Sequence, residues 1–271
     1  MRQEKNLLLN GSRFFTFTLA WSVYLAATPA AFPRLSEIPD AEVLKPTSFP
    51  YPEKLSYHVE WRMVTAGTAT VELLHPSADD WDLNLRLESA GMVNRLYRVL
   101  DTYKVAINDR FCASSSLLNA EEGKHRRITR LTFEDVRHKV EYDERDLTNK
   151  ATVKRTLDIS PCTHDITGAL VALRAMNLEP GRSATLPITD GKKIVSARIE
   201  AQSKENVTVS GKSYHTIRYE AFLFDNVLYK RKGRMFIWLT DDSDHIPVQF
   251  RFQLGFPIGT ISLELEKQQR L

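Results

Sequence analysis

The sequence lacks the short motifs that would assign it a catalytic chemistry. It has no Gly-x-Ser-x-Gly, no phosphate-binding loop, no His-Glu-x-x-His and no dinucleotide-binding fingerprint. Asp241, Asp242 and Asp244 resemble half of a calcium loop, but the glycine and the distal glutamate that such a loop requires are missing. We therefore expect no cofactor and no metal ion, and we assign no residue a catalytic role.

Cysteine is scarce, with only Cys112 and Cys162 in 271 residues. Neither lies directly after the apolar run of residues 14–25, which argues against a lipid anchor attached through cysteine. In an oxidising compartment an even cysteine count favours a disulfide between the two, and the alternative is a pair of buried free thiols.

Cys162, His164 and Asp165 also suggest a thiol catalyst or a metal site. However, neighbouring residues on a strand-to-helix turn rarely point at one spot, so we interpret Asp165 as a helix N-cap.

Net charge is also small. The formal charge is +3, and Arg2, Lys5, Arg13 and Glu4 account for +2 of it, which leaves +1 for the rest of the chain. This balance gives no reason to expect a nucleic-acid partner.

One basic cluster remains, formed by Lys124, Arg126, Arg127 and Arg130. It predicts a surface patch for lipid headgroups, glycans or another acidic surface. The alternative is a solvated strand whose charges are balanced by the acidic residues that flank it.

Only one long apolar run is present, from residue 14 to residue 25. Basic residues precede it and small residues follow it, so residues 1–31 are predicted to be a signal peptide, with an uncleaved membrane anchor as the alternative. Residues 32–52 are proline-rich and predict a linker, and residues 53–271 are predicted to form a single β-rich domain. A signal peptide places the protein in the periplasm or cell envelope of a Gram-negative-type bacterium.

Beyond residue 53 the apolar residues alternate with polar ones, which is typical of antiparallel strands with one buried face. Alternation is clear in residues 55–62, 81–88, 246–254 and 261–266, while 235–239 is apolar on both faces and is placed centrally in the sheet. His138 and His215 fall on otherwise apolar faces and are expected in the core or at its edge. The alternative is that they point inward and line a ligand cavity or bind a metal ion. Asp190-Gly191 and Ser210-Gly211 predict tight hairpins.

One segment, at about 165–178, does not alternate. Its apolar residues recur at helical spacing, and Pro180-Gly181 comes after it, which predicts a helix. The predicted fold is mainly β: a curved antiparallel sheet that forms a barrel or half-barrel, with this one helix packed on it by a narrow apolar stripe.

Several short motifs in a fixed order resemble an exported bacterial family, the domain of unknown function 3108. They are Phe49-Pro50, Glu53-Lys54-Leu55-Ser56-Tyr57, Gly67, Leu96-Tyr97-Arg98-Val99 with Asp101, Glu122-Gly123-Lys124 with Arg126, Cys162-Thr163-His164-Asp165, Leu173-Arg174, Leu178-Glu179-Pro180-Gly181, Ile237-Trp238-Leu239-Thr240-Asp241, Ile246-Pro247 and Ile258-Gly259. The resemblance covers about residues 49–265. It implies a mostly β protein of the cell envelope, and it transfers no catalytic residue because the family carries no agreed activity.

Three hypotheses about function follow. The first is a non-enzymatic envelope protein that binds an apolar or lipid-like ligand, or a protein partner, inside a concave sheet. The second is a structural or assembly factor with a solidly packed interior, and the third is a hydrolase with an unrecognised site. A continuous apolar cavity of roughly several hundred Å³ supports the first hypothesis, whereas a filled interior supports the second.

Overall fold

The computed structural model describes residues 52–77 and 80–271. The predicted signal peptide and all but the last residue of the predicted linker lie outside the described residues. Fourteen strands are present: β1 Glu53–Trp61, β2 Val64–Ser77, β3 Asp80–Ser89, β4 Val99–Asn108, β5 Ala113–Glu122, β6 His125–Glu134, β7 Lys139–Asp146, β8 Ala151–Asp158, β9 Ser183–Thr189, β10 Ile194–Val209, β11 Lys212–Ala221, β12 Gly233–Thr240, β13 Pro247–Leu254 and β14 Gly259–Arg270. The helices are α1, Gly91–Leu96, and α2, Ile166–Ala175, with a short 3₁₀ turn at Asp135–Arg137.

All fourteen strands belong to one curved antiparallel sheet that does not close. Strands β1 to β8 run outward from the middle to one edge, and β9 to β14 return from the other edge to pair with β1. Helix α2 lies in the one connection between strands that are not neighbours, from edge strand β8 to edge strand β9. The predicted fold class is confirmed, in its open rather than its closed form.

The two halves of the sheet approach each other at the β9–β10 hairpin. Gly191 has a positive φ of 79°, and its Cα lies so close to Tyr142 and Leu131 that a Cβ would overlap both side chains. The Lys192 Nζ is 3.3 Å from an Oε of Glu144 on β7. The sheet therefore curls until one hairpin touches the far wall, which leaves a concave interior.

Alternation decides which side chains enter this interior. Leu55, Tyr57 and Val59 of β1 are buried and point inward, whereas the intervening residues are partly exposed. The register aligns Leu55 with Val71 of β2, and the same alternation continues strand by strand. The core is thus a single cluster that spans both halves of the sheet.

Helix α2 is buried on nearly every side, which differs from the predicted narrow stripe. Seven of its ten residues are buried, among them Gly168, Ala169 and Ala172. A helix inside a curved sheet contacts strands in several directions, so small residues are needed where the walls come close. It also ends at Ala175, three residues before the predicted end, because Met176 is already extended.

Two further expectations need correction. Strand β12 is buried on both faces, but it is the fourth strand from the β9 edge rather than a central one. His138 and His215 are both exposed. His138 occupies a turn with φ of 50°, where strand alternation does not apply, and His215 lies opposite Asn206, near the end of its hairpin.

Because neighbouring strands are antiparallel, alternate connections emerge at the same end of the sheet. We call one end of the sheet the hairpin end; its connections are 62–63, 90–98, 123–124, 147–150, 190–193, 222–232 and 255–258. We call the opposite end of the sheet the helix end, because α2 lies in one of its connections; its described connections are 109–112, 135–138, 159–182, 210–211 and 241–246. Among the described residues, no helix is long and apolar enough to cross a membrane.

Candidate functional site

An apolar cavity lies between helix α2 and the concave face of the sheet. Its volume is about 220 Å³. Twenty residues line it, and fifteen of them have purely apolar side chains: Leu55, Val71, Leu73, Leu83, Leu85, Ile166, Leu170, Val171, Leu223, Phe224, Met235, Pro247, Phe250, Phe252 and Leu263. The interior is therefore not packed solid, although the cavity is smaller than the roughly several hundred Å³ expected of a ligand-binding cavity.

The cavity is built from both halves of the sheet. Strands β1, β2 and β3 form one wall, β12, β13 and β14 form another, and α2 together with the 222–232 loop covers them. Because β1 and β14 pair directly, these walls meet without a break. Only the curvature of the sheet brings residues so far apart in the sequence into one lining.

At the helix end the cavity is bounded by a buried ion pair. The Arg174 Nη1 is 2.5 Å from an Oε of Glu53, and less than a tenth of either side chain is exposed. The Arg174 Nε and Nη2 donate hydrogen bonds to the backbone oxygens of His245 and Asp244, at 3.0 and 3.1 Å. All three guanidinium nitrogens are engaged, so this arginine fixes the C-terminal turn of α2 to the sheet.

The tyrosine hydroxyls of the lining are also uncharged and do not favour a charged ligand. The Tyr57 hydroxyl donates to the Pro247 oxygen at 2.8 Å, and its burial raises the tyrosine pKa far above its ordinary value. Tyr229 is 38% exposed as a residue, but desolvation of its hydroxyl raises its pKa to about 12, so that hydroxyl stays neutral. The lining is suited to an apolar group, since no charged side chain is left to bind an ionic one.

The volume sets the size of that group. An engineered apolar cavity of about 150 Å³ in another protein is large enough to hold benzene. A cavity of about 220 Å³ therefore admits a ring system or a segment of one acyl chain. It does not enclose a whole phospholipid, whose headgroup and second chain would have to stay outside.

The two cysteines come together at the helix end. The Sγ atoms of Cys112 and Cys162 are at disulfide distance, 1.93 Å, although 50 residues separate them in the sequence. Cys112 directly precedes β5, and Cys162 lies in the segment that leads into α2. A covalent link here ties the start of the interior helix to the wall of the sheet.

Cys162 and His164 do approach each other, contrary to expectation, with the Cys162 Sγ 4.0 Å from the His164 Nε2. The same sulfur is at disulfide distance from Cys112, which leaves no free thiol there to act as a nucleophile. The Asp165 carboxylate accepts hydrogen bonds from the Gly168 and Thr167 backbone N–H groups at 2.8 and 3.4 Å, which confirms the predicted N-cap. His164 is buried, and one of its ring nitrogens lies 2.9 Å from the Phe111 oxygen. Burial lowers the His164 pKa to about 4. Within residues 52–77 and 80–271, no cluster of metal-ligating side chains is present.

The structure distributes the basic cluster predicted from sequence over different surfaces. Lys124 lies in the β5–β6 turn at the hairpin end, and Arg126 and Arg130 lie on the outer face of β6. Arg127 points to the inner face, half-buried, with its Nη2 3.8 Å from an Oε of Glu122. Strand alternation separates Arg126 from Arg127, so the four charges do not share one face.

The comparisons with known proteins give a family and a fold. The model of the family described as "Protein of unknown function (DUF3108)" matches residues 56–266. That is the family the sequence motifs resemble. No curated protein matches the chain.

Three solved structures are similar to the chain. A β-barrel-like protein of the domain of unknown function DUF1849 from Brucella abortus has a TM-score of 0.53 at 10% identity, over 82% of this chain and 98% of that one. The hypothetical protein CT021 from Chlamydia trachomatis has a TM-score of 0.30 at 7% identity, over 84% and 92% of the two chains. A DUF1089 family protein from Pseudomonas aeruginosa has a TM-score of 0.28 at 10% identity, over 74% and 90%. Only the first score indicates a shared fold, and at that identity it indicates the fold alone.

Proposed function

The chain belongs to the DUF3108 family, and from that premise we propose that it is an exported cell-envelope protein that holds one apolar or lipid-like ligand without chemically changing it. The ligand occupies the cavity between α2 and the sheet. The periplasm is the compartment in which it acts.

The observation that carries this proposal is the apolar cavity itself. Native interiors are close-packed, and an empty space of about 220 Å³ forfeits packing contacts that a folded domain would otherwise gain. A domain of this size has enough apolar side chains to fill such a space. A bound ligand would restore the lost packing contacts, which explains why such a cavity is kept. A purely structural domain would gain nothing from keeping it.

Two features support export. The first 31 residues have the order of basic, apolar and small residues that is typical of a signal peptide. The cysteine pair at disulfide distance suits an oxidising compartment such as the periplasm.

A cavity-filling variant tests the proposal. Leu170 lies on α2 and lines the cavity, so Leu170→Trp places an indole in the space that the ligand would occupy. The apolar probe N-phenyl-1-naphthylamine becomes fluorescent when it leaves water. We expect saturable fluorescence with the wild-type protein, competition by a free fatty acid, and at least a tenfold loss of affinity in Leu170→Trp.

The matched control is Val136→Trp, because Val136 is 94% exposed in the β6–β7 turn and does not line the cavity. It adds the same indole without filling any space. Equal probe binding by Leu170→Trp, Val136→Trp and wild type, with unfolding transitions that show all three are folded, would contradict the proposal.

A further inference from the structure

The charges of the connections differ sharply between the two ends of the sheet. The connections of the hairpin end carry ten basic side chains and two acidic ones, a net charge of +8: Arg62, Arg95, Arg98, Lys124, Lys150, Lys192, Lys193, Lys230, Arg231 and Lys232 against Asp190 and Asp225. The described connections of the helix end carry four basic and seven acidic residues, a net charge of −3. The domain is therefore strongly polarised although its overall charge is small.

Exposed apolar side chains collect at the same end. Among the described residues, eleven large apolar side chains are exposed, and eight of them lie at the hairpin end: Met63, Val64, Met92, Leu96, Tyr97, Leu147, Tyr229 and Phe256. Phe256 and Met63 are 95% and 92% exposed. Single exposed apolar residues are ordinary, but a group of them at the basic end of a polarised domain indicates an interaction surface.

These connections line one rim of the sheet, and many of them are bonded to a neighbouring connection or strand. Backbone hydrogen bonds join neighbours around it: Arg62 N to Thr260 O at 3.0 Å, Gly255 N to Lys232 O at 3.2 Å, Gly123 N to Arg98 O at 2.7 Å and Leu147 N to Arg126 O at 2.8 Å. The Lys193 Nζ contacts the Asn226 oxygen at 3.5 Å and so joins the β9–β10 turn to the 222–232 loop. Phe256 and the basic triplet 230–232 are thereby held side by side.

We propose that this rim is a membrane-docking surface that binds the headgroup region of an anionic phospholipid bilayer. Lysine and arginine are attracted to the negative surface, and exposed aromatic and aliphatic side chains insert at the boundary between headgroups and acyl chains. A nucleic acid would bind the same basic charge, but the exposed aliphatic side chains of Met63 and Leu96 would gain nothing from contact with its phosphates.

This inference goes beyond the proposed function and does not depend on the cavity. The two are spatially compatible, because the 222–232 loop contributes Tyr229 to the rim and lines the cavity with Leu223 and Phe224. A domain docked by this rim would present that loop to the bilayer. The Leu170→Trp variant separates the two ideas, since it blocks the cavity and leaves the rim unchanged.

Vesicle binding by the protein purified from its own envelope tests the inference. The charge variant is Lys230→Gln, Arg231→Gln and Lys232→Gln together, and its control is Arg110→Gln, Arg137→Gln and Arg182→Gln, three exposed residues of the helix end. Both variants lose the same net charge and keep the same N-terminal segment, so only the location of the lost charge differs. The probe is flotation with vesicles that contain phosphatidylglycerol, compared with vesicles of phosphatidylcholine alone.

We expect binding to the anionic vesicles that added salt weakens. At about fivefold per basic side chain, the rim triple variant should bind roughly 100-fold more weakly, and the control triple variant should bind like wild type. Phe256→Ser should weaken binding by about tenfold, while its control Val136→Ser should not. Three results would each overturn the inference: no preference for anionic vesicles, equal losses in the two triple variants, or tight binding to a single-stranded oligonucleotide without binding to vesicles.

Discussion

One buried histidine should lower the free energy of unfolding of this domain on acidification, separately from its other titrating groups. His164 lies at the start of the segment that enters α2, with one ring nitrogen 2.9 Å from the Phe111 oxygen. Burial lowers its pKa from 6.5 to about 4 in the folded state. The folded protein therefore keeps the imidazole neutral, whereas the unfolded chain binds a proton in the ordinary range.

The sign and size of the effect follow from proton linkage. Between pH 6.5 and about pH 4 the unfolded chain binds more protons than the folded one, so the free energy of unfolding falls as the pH falls. From about pH 7.5 to about pH 5 the loss attributable to His164 is about 2 kcal/mol. Asp101 acts in the opposite direction, because burial, and then Glu122, raise its pKa to about 6 in the folded state.

Comparison with a variant isolates the histidine from Asp101 and every other group. Urea unfolding of wild type and His164→Gln at several pH values gives two stability curves, and their difference should change by about 2 kcal/mol between about pH 7.5 and about pH 5. His125→Gln removes an exposed histidine and is the control. Parallel curves for wild type and His164→Gln over this range would refute the reasoning.

Two further predictions concern the supports of α2. Arg174→Met should lower the free energy of unfolding by about 3–5 kcal/mol, because it leaves the Glu53 carboxylate buried without its cation, and Arg174→Met with Glu53→Leu should recover much of that loss. Urea denaturation measures both, and a double variant less stable than the single one would contradict this reasoning. Cys112→Ala with Cys162→Ala should lower the free energy of unfolding by about 4 kcal/mol, since a disulfide closes a loop of 50 residues. Two titratable thiols per chain in the native, non-reduced protein would show that the bond is not formed.

Local features of the fold could be predicted because they depend on neighbours in the sequence. Alternation around Leu55 and Tyr57 predicted their inward orientation, and the capping chemistry of Asp165 predicted where α2 begins. The sheet order could not be predicted in the same way. The pairing of β1 with β14 joins residues about 200 positions apart, and nothing in either strand alone specifies its partner.

The candidate sites were harder to predict than the strands. The cavity depends on how far a fourteen-stranded sheet curls around α2, which is a property of the whole sheet. The basic rim cannot be predicted for a different reason: the basic residues at 124–130 are neighbours along the chain, but alternation sends Arg126 and Arg127 to opposite faces. The charges that do meet, such as Lys124, Lys150 and Lys230, come from separate turns that antiparallel pairing brings to one end.

Native mass spectrometry of the protein purified from its own envelope tests ligand binding most directly. We predict a mass above that of the polypeptide, with the excess released by organic extraction as an apolar or lipid-like molecule and absent from Leu170→Trp. A spectrum of the folded wild-type protein that shows only the polypeptide mass, with no uptake of added fatty acid, would contradict the proposed function.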